Sequence, residues 1–388
     1  MKKDTLIVTT GRDPEANHGV VNPPVYHAST ILHPTVAAME AAQRPDYAGT
    51  RYGRRGTPTT FALEEAVAAL EGGYRSVATG SGLAAIVATL FAFLESGDHL
   101  LMVDSVYGPS RRTCETFLKK FGVQTTYYDP TVGAGIADLI RDDTKLVFTE
   151  APGSLTFEMQ DIPAIAEAAH ARGAVVAMDN SWASPLFFDP FRHGVDVSIQ
   201  AATKYIVGHS DAMLGVITAN ETHFGTVQQA AHSLGAAPGP DDVYLGLRGL
   251  RTLGVRLRQH QENGIRLATW LQGRPEVARI LHPALPDDPG HALWKRDFTG
   301  ACGLFGVLLH PRPKAAVDAM LDGLDLFGMG ASWGGYESLI LPVHPEKIRT
   351  ARPWTEPGPL LRIHAGLEDV DDLIADLEAG FARLAAAG

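Results

Sequence analysis

Two cysteines in 388 residues, Cys114 and Cys302, cannot supply a disulfide framework, and their wide separation does not suit a metal site. They read as buried structural thiols. Long apolar runs are also missing. No stretch approaches the ~18 apolar residues of a membrane span. The opening "MKKDTLIVTTGRD" has two lysines but only a short apolar stretch. A secretory leader needs an apolar region of about 7–15 residues and a small-residue cleavage site. A cytoplasmic protein with no membrane partner is expected. Positive charge is in deficit: Lys and Arg number 33 against 44 Asp and Glu, a formal net charge of −11. A nucleic-acid partner is therefore not expected, because binding the phosphate backbone takes a basic patch. Local cationic sites for small anions stay open.

What is present is the composition of an ordinary globular chain, 45% hydrophobic and 20% charged, long enough for two or three domains. Residues 1–60 are irregular and rich in Pro, Asn and His, as in "DPEANHGVVNPPVYHASTILHPT". They are too polar to make a core alone, so an arm lying on a neighbouring subunit is expected. From Phe61 the pattern changes. "TFALEEAVAALEGG" has helical spacing and a paired-glycine stop. Seven short apolar runs then read as strands: Ser76–Ala78, His99–Asp104, Val123–Tyr128, Lys145–Thr149, Ala174–Met178, Val195–Gln200 and Leu214–Ala219. Amphipathic runs such as "DIPAIAEAAHARG" lie between several of them. Strands alternating with helices predict an α/β fold with a mostly parallel seven-stranded sheet over 61–250. Residues 251–388 read as a smaller C-terminal α/β domain. It is entered by one or two long helices within "YLGLRGLRTLGVRLRQHQENGIRLATWLQGRPEV". There "GLFGVLLH", "LDLFGM" and "LLRIHAGL" are strand-like, and "DVDDLIADLEAGFARLAAA" is an amphipathic helix.

Open parallel sheets bind ligands beyond the carboxyl ends of their strands. After "RSVAT" comes "GSGLAAIVATLFAFL", where the free N–H groups of Gly82 and Leu83 make an anion site at a helix start. A plain strand–helix turn gives the same sequence. After "HLLMVDSV" comes Tyr107, a lid for a flat ligand or a half-buried core tyrosine. After "AVVAM" comes Asp179, a helix cap or a partner for a buried cation. After "VSIQAAT" comes Lys204. Lysine is rarely buried alone, and in a dry pocket it loses proton affinity and becomes nucleophilic. A salt bridge to Asp179 is the plainer reading. Together the four meet the needs of pyridoxal 5'-phosphate: an anion cradle, an aromatic cover, a carboxylate for the ring nitrogen and a lysine for the aldehyde.

The chain also resembles the Cys/Met-metabolism family of fold-type I pyridoxal-phosphate enzymes. The likeness is carried nearly end to end by "NPPVYHAST", "YGRRGTPT", "GSGLAAI", "MDNSW", "SIQAATKYIVGHSDAM", "RGLRTLGVRLRQH" and "SWGGYESL". It implies that Lys204 binds the cofactor covalently, with Asp179 on the ring nitrogen and Tyr107 stacked above. It places the phosphate on Gly82, Leu83 and Thr203, with Tyr52 and Arg54 reaching in from a neighbouring subunit. Arg362, in "LLRIHAG", would clamp the substrate carboxylate, lined by Ser332 and Trp333. Family members are typically tetramers built from dimers that share active sites. Trp333 and the turn "EAPGSLT" look like the bacterial cystathionine β-lyase subgroup, where many γ-type relatives have "SLGG" and a Thr-Asn-Pro turn. In that subgroup's chemistry Lys204, Tyr107 and Tyr52 are the catalytic set, and Arg55 could meet the distal end of cystathionine.

The implied reaction is cleavage of the Cβ–S bond of L-cystathionine to homocysteine, pyruvate and ammonia, a step in methionine synthesis. The alternative is another sulfur amino-acid enzyme on this scaffold: a cysteine desulfhydrase, methionine γ-lyase or cystathionine γ-synthase. A silent binding protein has no need of Lys204, Asp179, Tyr107 and Arg362 together. A nucleotide-binding dehydrogenase would need a glycine fingerprint the chain lacks. His282 and His291 lack metal-type spacing, so no metal is expected. His209 and Asp211 read as residues that shape the loop after Lys204.

Overall fold

The computed structural model describes residues 1–44 and 47–388; residues 45 and 46, inside the expected N-terminal arm, lie outside the described residues. All seven expected strands form within a residue or two: β1 (Arg75–Thr79), β2 (His99–Val103), β3 (Gln124–Tyr128), β4 (Thr144–Glu150), β5 (Val175–Asp179), β6 (Val197–Gln200) and β7 (Gly215–Ala219). They make one sheet in the order β1-β7-β6-β5-β4-β2-β3. Pairings among β2 to β6 are parallel, and β7 runs antiparallel to both β1 and β6. Strands such as "HLLMV" are buried along their whole length, because helices cover both faces of a parallel sheet. The register sets Glu150 opposite Asp179 at the ends of β4 and β5. One sheet edge therefore carries several chemistry-bearing residues.

The C-terminal part holds a four-stranded antiparallel sheet: β8 (Val277–Leu281), β9 (Leu304–Leu309), β10 (Leu339–Val343) and β11 (Leu360–His364), in the order β10-β11-β9-β8. Helix Val370–Ala387 and helix Lys314–Asp322 pack together beside it and share its apolar cluster. The expected single or double helix resolves as two, Pro240–Leu250 and Leu253–Gln272. They break at Arg251, whose guanidinium instead binds the carbonyls of Ile7 and Thr10. "LDLFGM" is not a strand. The N–H groups of Asp325, Leu326 and Phe327 donate to the carboxylate of Asp376 on the last helix, so a side chain takes the place of a ladder.

The N-terminal stretch is less irregular than its composition predicts. Lys3–Thr9 forms a helix that buries Ile7 in the chain's own core, and Lys3 pairs with Asp189. Val36–Ala42 is also helical. Many side chains around them stay exposed, among them Val20, Tyr26, Leu32 and Val36. Among the described residues no helix is long and apolar enough to cross a membrane.

A buried ion cluster joins the two sheets' regions. Asp104, one residue past β2, accepts from Arg111 Nη2 at 2.5 Å and from Arg349 Nε at 2.9 Å. It also accepts from the backbone N–H groups of Thr350 and Arg352. Arg111 belongs to the short helix Gly108–Arg112 that follows Tyr107. Arg349 follows β10, so the cluster ties the Tyr107 loop to the C-terminal region.

Candidate active site

The site grows from the ends of β1, β2, β4, β5 and β6. Gly82 opens helix Gly82–Phe93, capped by Ser81 Oγ accepting from the Ala84 N–H. A Cβ at Gly82 would lie 2.6 Å from the Ala201 Cβ, so only glycine lets this helix start approach the turn that carries Lys204. The first N–H groups of a helix have no partner within it and point outward, toward any anion held there. Leu83 is partly exposed at the same end.

Lys204 sits in the turn between β6 and β7. The turn is held by the Lys204 N–H donating to the Ala201 carbonyl, by Thr203 N–H to Leu214, and by Leu214 N–H to Thr203 Oγ1. Arg256, in the "RGLRTLGVRLRQH" segment, donates to the Tyr205 carbonyl at 2.8 Å and supports the turn from below. Its role was not legible in the sequence. Lys204 Nζ donates to Ser332 Oγ at 2.5 Å and stands 5.1 Å from the centre of the Trp333 ring. Burial pulls its ammonium down to about 8, the Arg362 charge adds to that, and Asp179 opposes it.

Asp179 is buried at the end of β5 and accepts from the Ser181 N–H at 3.0 Å. Burial raises its carboxyl, against the Ser181 hydrogen bonds and the Lys204 charge. Tyr107 is half exposed at the start of helix Gly108–Arg112, and its N–H donates to Glu150 Oε2 at 2.8 Å. Burial, then Asp179 and Glu150, raise the Tyr107 phenol, while Arg362 and Arg112 lower it. Arg362, on β11, donates to the Ser332 carbonyl at 2.8 Å. Glu150 lay inside a quoted motif but had no assigned role. Burial, with Asp179 as neighbour, pushes it well above the usual carboxylate range, and it fixes the Tyr107 backbone.

Lys204, Asp179, Tyr107, Gly82, Thr203, Arg362, Ser332 and Trp333 thus converge. Tyr52, Arg54 and Arg55 sit elsewhere. Tyr52 oxygen accepts from Ser29, and Arg54 donates to the His232 carbonyl. Arg54 and Arg55 line a separate cavity of about 1290 Å³ whose walls include Glu64, Arg75 and His232. His209 Nδ1 bonds the Val207 carbonyl, within its own loop. His282 packs against Trp182 and Phe305, and His291 bonds the Pro283 carbonyl.

The sequence matches the profile of the Cys/Met metabolism PLP-dependent enzymes over residues 4–382. The chain belongs to this family. Cystathionine beta-lyase of Salmonella typhimurium is 47% identical, covering 98% of each chain. Cystathionine beta-lyase of Escherichia coli is also 47% identical, covering 99% of each. The crystal structure of cystathionine gamma synthase from Xanthomonas oryzae, in complex with aminoacrylate and cysteine, is 35% identical over 100% of both chains, with a TM-score of 0.91. The fold is therefore that of the fold-type I pyridoxal-phosphate enzymes, and the family's cofactor is pyridoxal 5'-phosphate. The residues present fit it. The helix start at Gly82, packed tightly against Ala201 beside Lys204, offers unpaired N–H groups that suit a phosphate. Asp179 is a buried carboxylate close enough to feel the Lys204 charge. Lys204 itself is a half-buried amine of lowered proton affinity.

Proposed function

We propose that this protein cleaves the Cβ–S bond of L-cystathionine, with water entering and homocysteine, pyruvate and ammonia leaving. One observation carries the reading: Lys204 Nζ, with its proton affinity brought to about 8, meets Ser332 Oγ beside the Arg362 guanidinium. An amine near 8 exchanges protons readily at neutral pH. The 47% identity to two lyases over nearly the whole chain supports the choice of substrate.

Bound pyridoxal phosphate supplies an electron sink for the charge left when the Cα proton departs. Lys204 would hold the cofactor, and its amine in the free form takes the Cα proton. Arg362 holds the substrate carboxylate through paired N–H groups and so fixes the Cα–H direction. Lys204 then delivers a proton to the leaving sulfur, while Tyr107 and Tyr52 tune its proton affinity. Asp179 would pair with the cofactor's ring nitrogen, Tyr107 would cover the ring, and Gly82, Leu83 and Thr203 would hold the phosphate. Ser332 and Trp333 line the carboxylate pocket.

Tyr52 and Arg54 reach the phosphate from a second copy, and Arg55 meets the distal amino-acid end of the substrate. Their own-chain contacts support this, with Tyr52 on Ser29 and Arg54 on the His232 carbonyl, as does the exposed apolar surface around residues 20–36. The working unit is a homotetramer, a dimer of dimers. Residues 1–60 form the arm, 61–250 the cofactor domain and 251–388 the small domain. The two free, buried thiols suit a reducing cytoplasm. The deciding test supplies purified protein with L-cystathionine and measures pyruvate and free thiol together. Equal amounts of both support β-cleavage. 2-Oxobutyrate in place of pyruvate, or no reaction, overturns it.

A further inference from the structure

We propose that His364 is a positioning residue for the reaction: its Nε2, held in one tautomer by the Nδ1 bond to Glu337, pins Gly334 in the loop 332–338 that presents Ser332 to Lys204 and the Ser332 carbonyl to Arg362. The proposal rests on the site reading above but concerns a residue to which that reading gives no role.

His364 is the last residue of β11, two positions after Arg362. Residues two apart on a strand share a face. One strand thus offers both the clamp and the support for what the clamp touches. The ring is fully buried. Its Nε2 accepts from the Gly334 N–H at 3.2 Å, and its Nδ1 donates to the Glu337 carbonyl at 3.1 Å. An amide can only donate and a carbonyl only accept, so these partners fix one neutral tautomer. Both ring nitrogens are engaged on the same seven-residue loop, three residues apart. The His260 ring stands 5.1 Å away and the Tyr205 ring 5.9 Å, so the imidazole has little room to swing.

The loop needs such a fixture because its backbone is unfavourable. Ser332 has φ of +82° and Gly334 of +88°. A left-handed serine persists only where its surroundings hold it. Gly334 also runs against Lys204: a Cβ there would lie 3.0 Å from the Lys204 Cα. A small outward shift at Gly334 would separate Ser332 Oγ from Nζ and move the carbonyl that Arg362 holds. The rear of the loop is anchored separately by Ser338, which donates twice to Glu368. The Gly334 contact is the one next to the chemistry.

Two conservative variants divide the imidazole's work. In His364→Gln the side-chain oxygen reaches the place of Nε2 and can still accept from Gly334. In His364→Asn the side-chain amide overlays Nδ1 and keeps only the bond to Glu337. The holoenzymes are compared by hydrogen exchange of the peptide spanning 332–338 and by kcat and KM with L-cystathionine. We expect the Asn variant to exchange that segment about tenfold faster, the worth of one neutral hydrogen bond. Its kcat/KM should fall by at least that factor, while exchange in helix Ile162–His170 is unchanged. The Gln variant should stay within about threefold of the parent in both readouts. Equal kinetic losses in both variants, or loss of activity without faster exchange at 332–338, overturns the proposal. Should the Asn variant fail to fold, the Gln variant decides: parent-like values support the proposal and a tenfold loss refutes it. The exchange readout needs no substrate, so its result is separable from failure of the β-cleavage assignment.

Discussion

Removing the carboxylate of Asp104 should cost this protein stability and active-site geometry together. The side chain of Asp104 is 0% exposed, that of Arg111 4% and that of Arg349 2%. Burial alone would raise the Asp104 carboxyl. The N–H groups of Arg352 and Thr350 and the Arg349 guanidinium outweigh it and hold the group well below the usual carboxylate range. In Asp104→Asn two guanidinium groups stay buried. Arg349 keeps Glu158 at 2.8 Å, and Arg111 keeps Glu115 only at 3.3 Å on a half-exposed side chain. Breaking a buried pair by removing one partner typically costs about 3–5 kcal/mol, because the other charge is left uncompensated. Unfolding entropy scales with length, to about 0.8 kcal/mol per kelvin for a chain of this size. The expected fall in Tm is therefore about 4–6 °C, read by calorimetry at fixed protein and cofactor concentration.

The sign with pH follows from the direction of the shift. The native carboxyl binds its proton less readily than the unfolded one. Its contribution is complete above the usual carboxylate range and disappears as the pH falls through and below that range. The Tm gap between parent and variant should hold at neutral pH and close under acid. A second substitution makes the test strict. If Arg349 is destabilising once Asp104 is gone, Asp104→Asn and Arg349→Met together should cost less than their sum by at least about 1 kcal/mol. Strict additivity, or a loss under 1 kcal/mol for Asp104→Asn alone, would show that the cluster does not hold the two regions together.

Lys204→Ala should leave the cofactor bound without a covalent link and reduce turnover by at least ~10²–10⁴-fold, the range for a positioned proton carrier. Borohydride should fix the cofactor to the Lys204 peptide in the parent and to none in the variant. Arg362→Ala should raise KM for α-amino acids about 10–100-fold, the worth of hydrogen bonds to a charged group, and unchanged KM would place the carboxylate clamp elsewhere. The free amine of Lys204 is the form that captures an aldehyde. In the cofactor-free protein its capture rate should rise with pH and reach half its maximum near 8, where the Lys204 amine titrates. A midpoint near that of an ordinary lysine, about 10.4, would contradict the desolvated site. Gly82→Ala should weaken cofactor binding at least tenfold, since its Cβ would overlap Ala201, an overpacking of about 1–3 kcal/mol. Parent-like affinity would move the phosphate away from this helix start.

The large sheet was readable because strands buried on both faces are continuous apolar runs, and each ends in turn residues. The same logic located Gly82, Tyr107, Asp179 and Lys204, which all stand at strand ends. The C-terminal sheet was harder. "LDLFGM" has a strand's apolar content, yet the amides of Asp325, Leu326 and Phe327 are satisfied by Asp376, some fifty residues on. No local pattern encodes that. β10 contains Pro342, which lowers its strand signal, and it forms because β11 supplies a partner along all five residues. Helix Lys3–Thr9 was missed for a related reason. It is held by Ile7 buried in the distant core and by Arg251, at the break between two distant helices, whose guanidinium binds the Ile7 and Thr10 carbonyls. Glu150 and His364 sat inside quoted motifs, but their importance lies in partners that only the tertiary structure brings near.

A chain of net charge −11 holds a site that must accept a phosphate and a carboxylate. The local balance explains how. Burial raises both the Glu150 and the Asp179 carboxyls above the usual carboxylate range, and Asp179 is the carboxylate whose charge opposes the lowering at Lys204. The helix start at Gly82 adds partial positive charge. Lys204, Arg362 and this helix start thus supply fixed donors for anions within an acidic chain. The same arrangement keeps Lys204 from being an ordinary salt-bridged lysine. One carboxylate cannot cancel burial and Arg362 together, so the amine titrates near 8 and stays reactive. Glu150, buried beside Asp179, accepts from the Tyr107 N–H and so fixes the backbone of that tyrosine at the same strand ends from which Lys204 is reached.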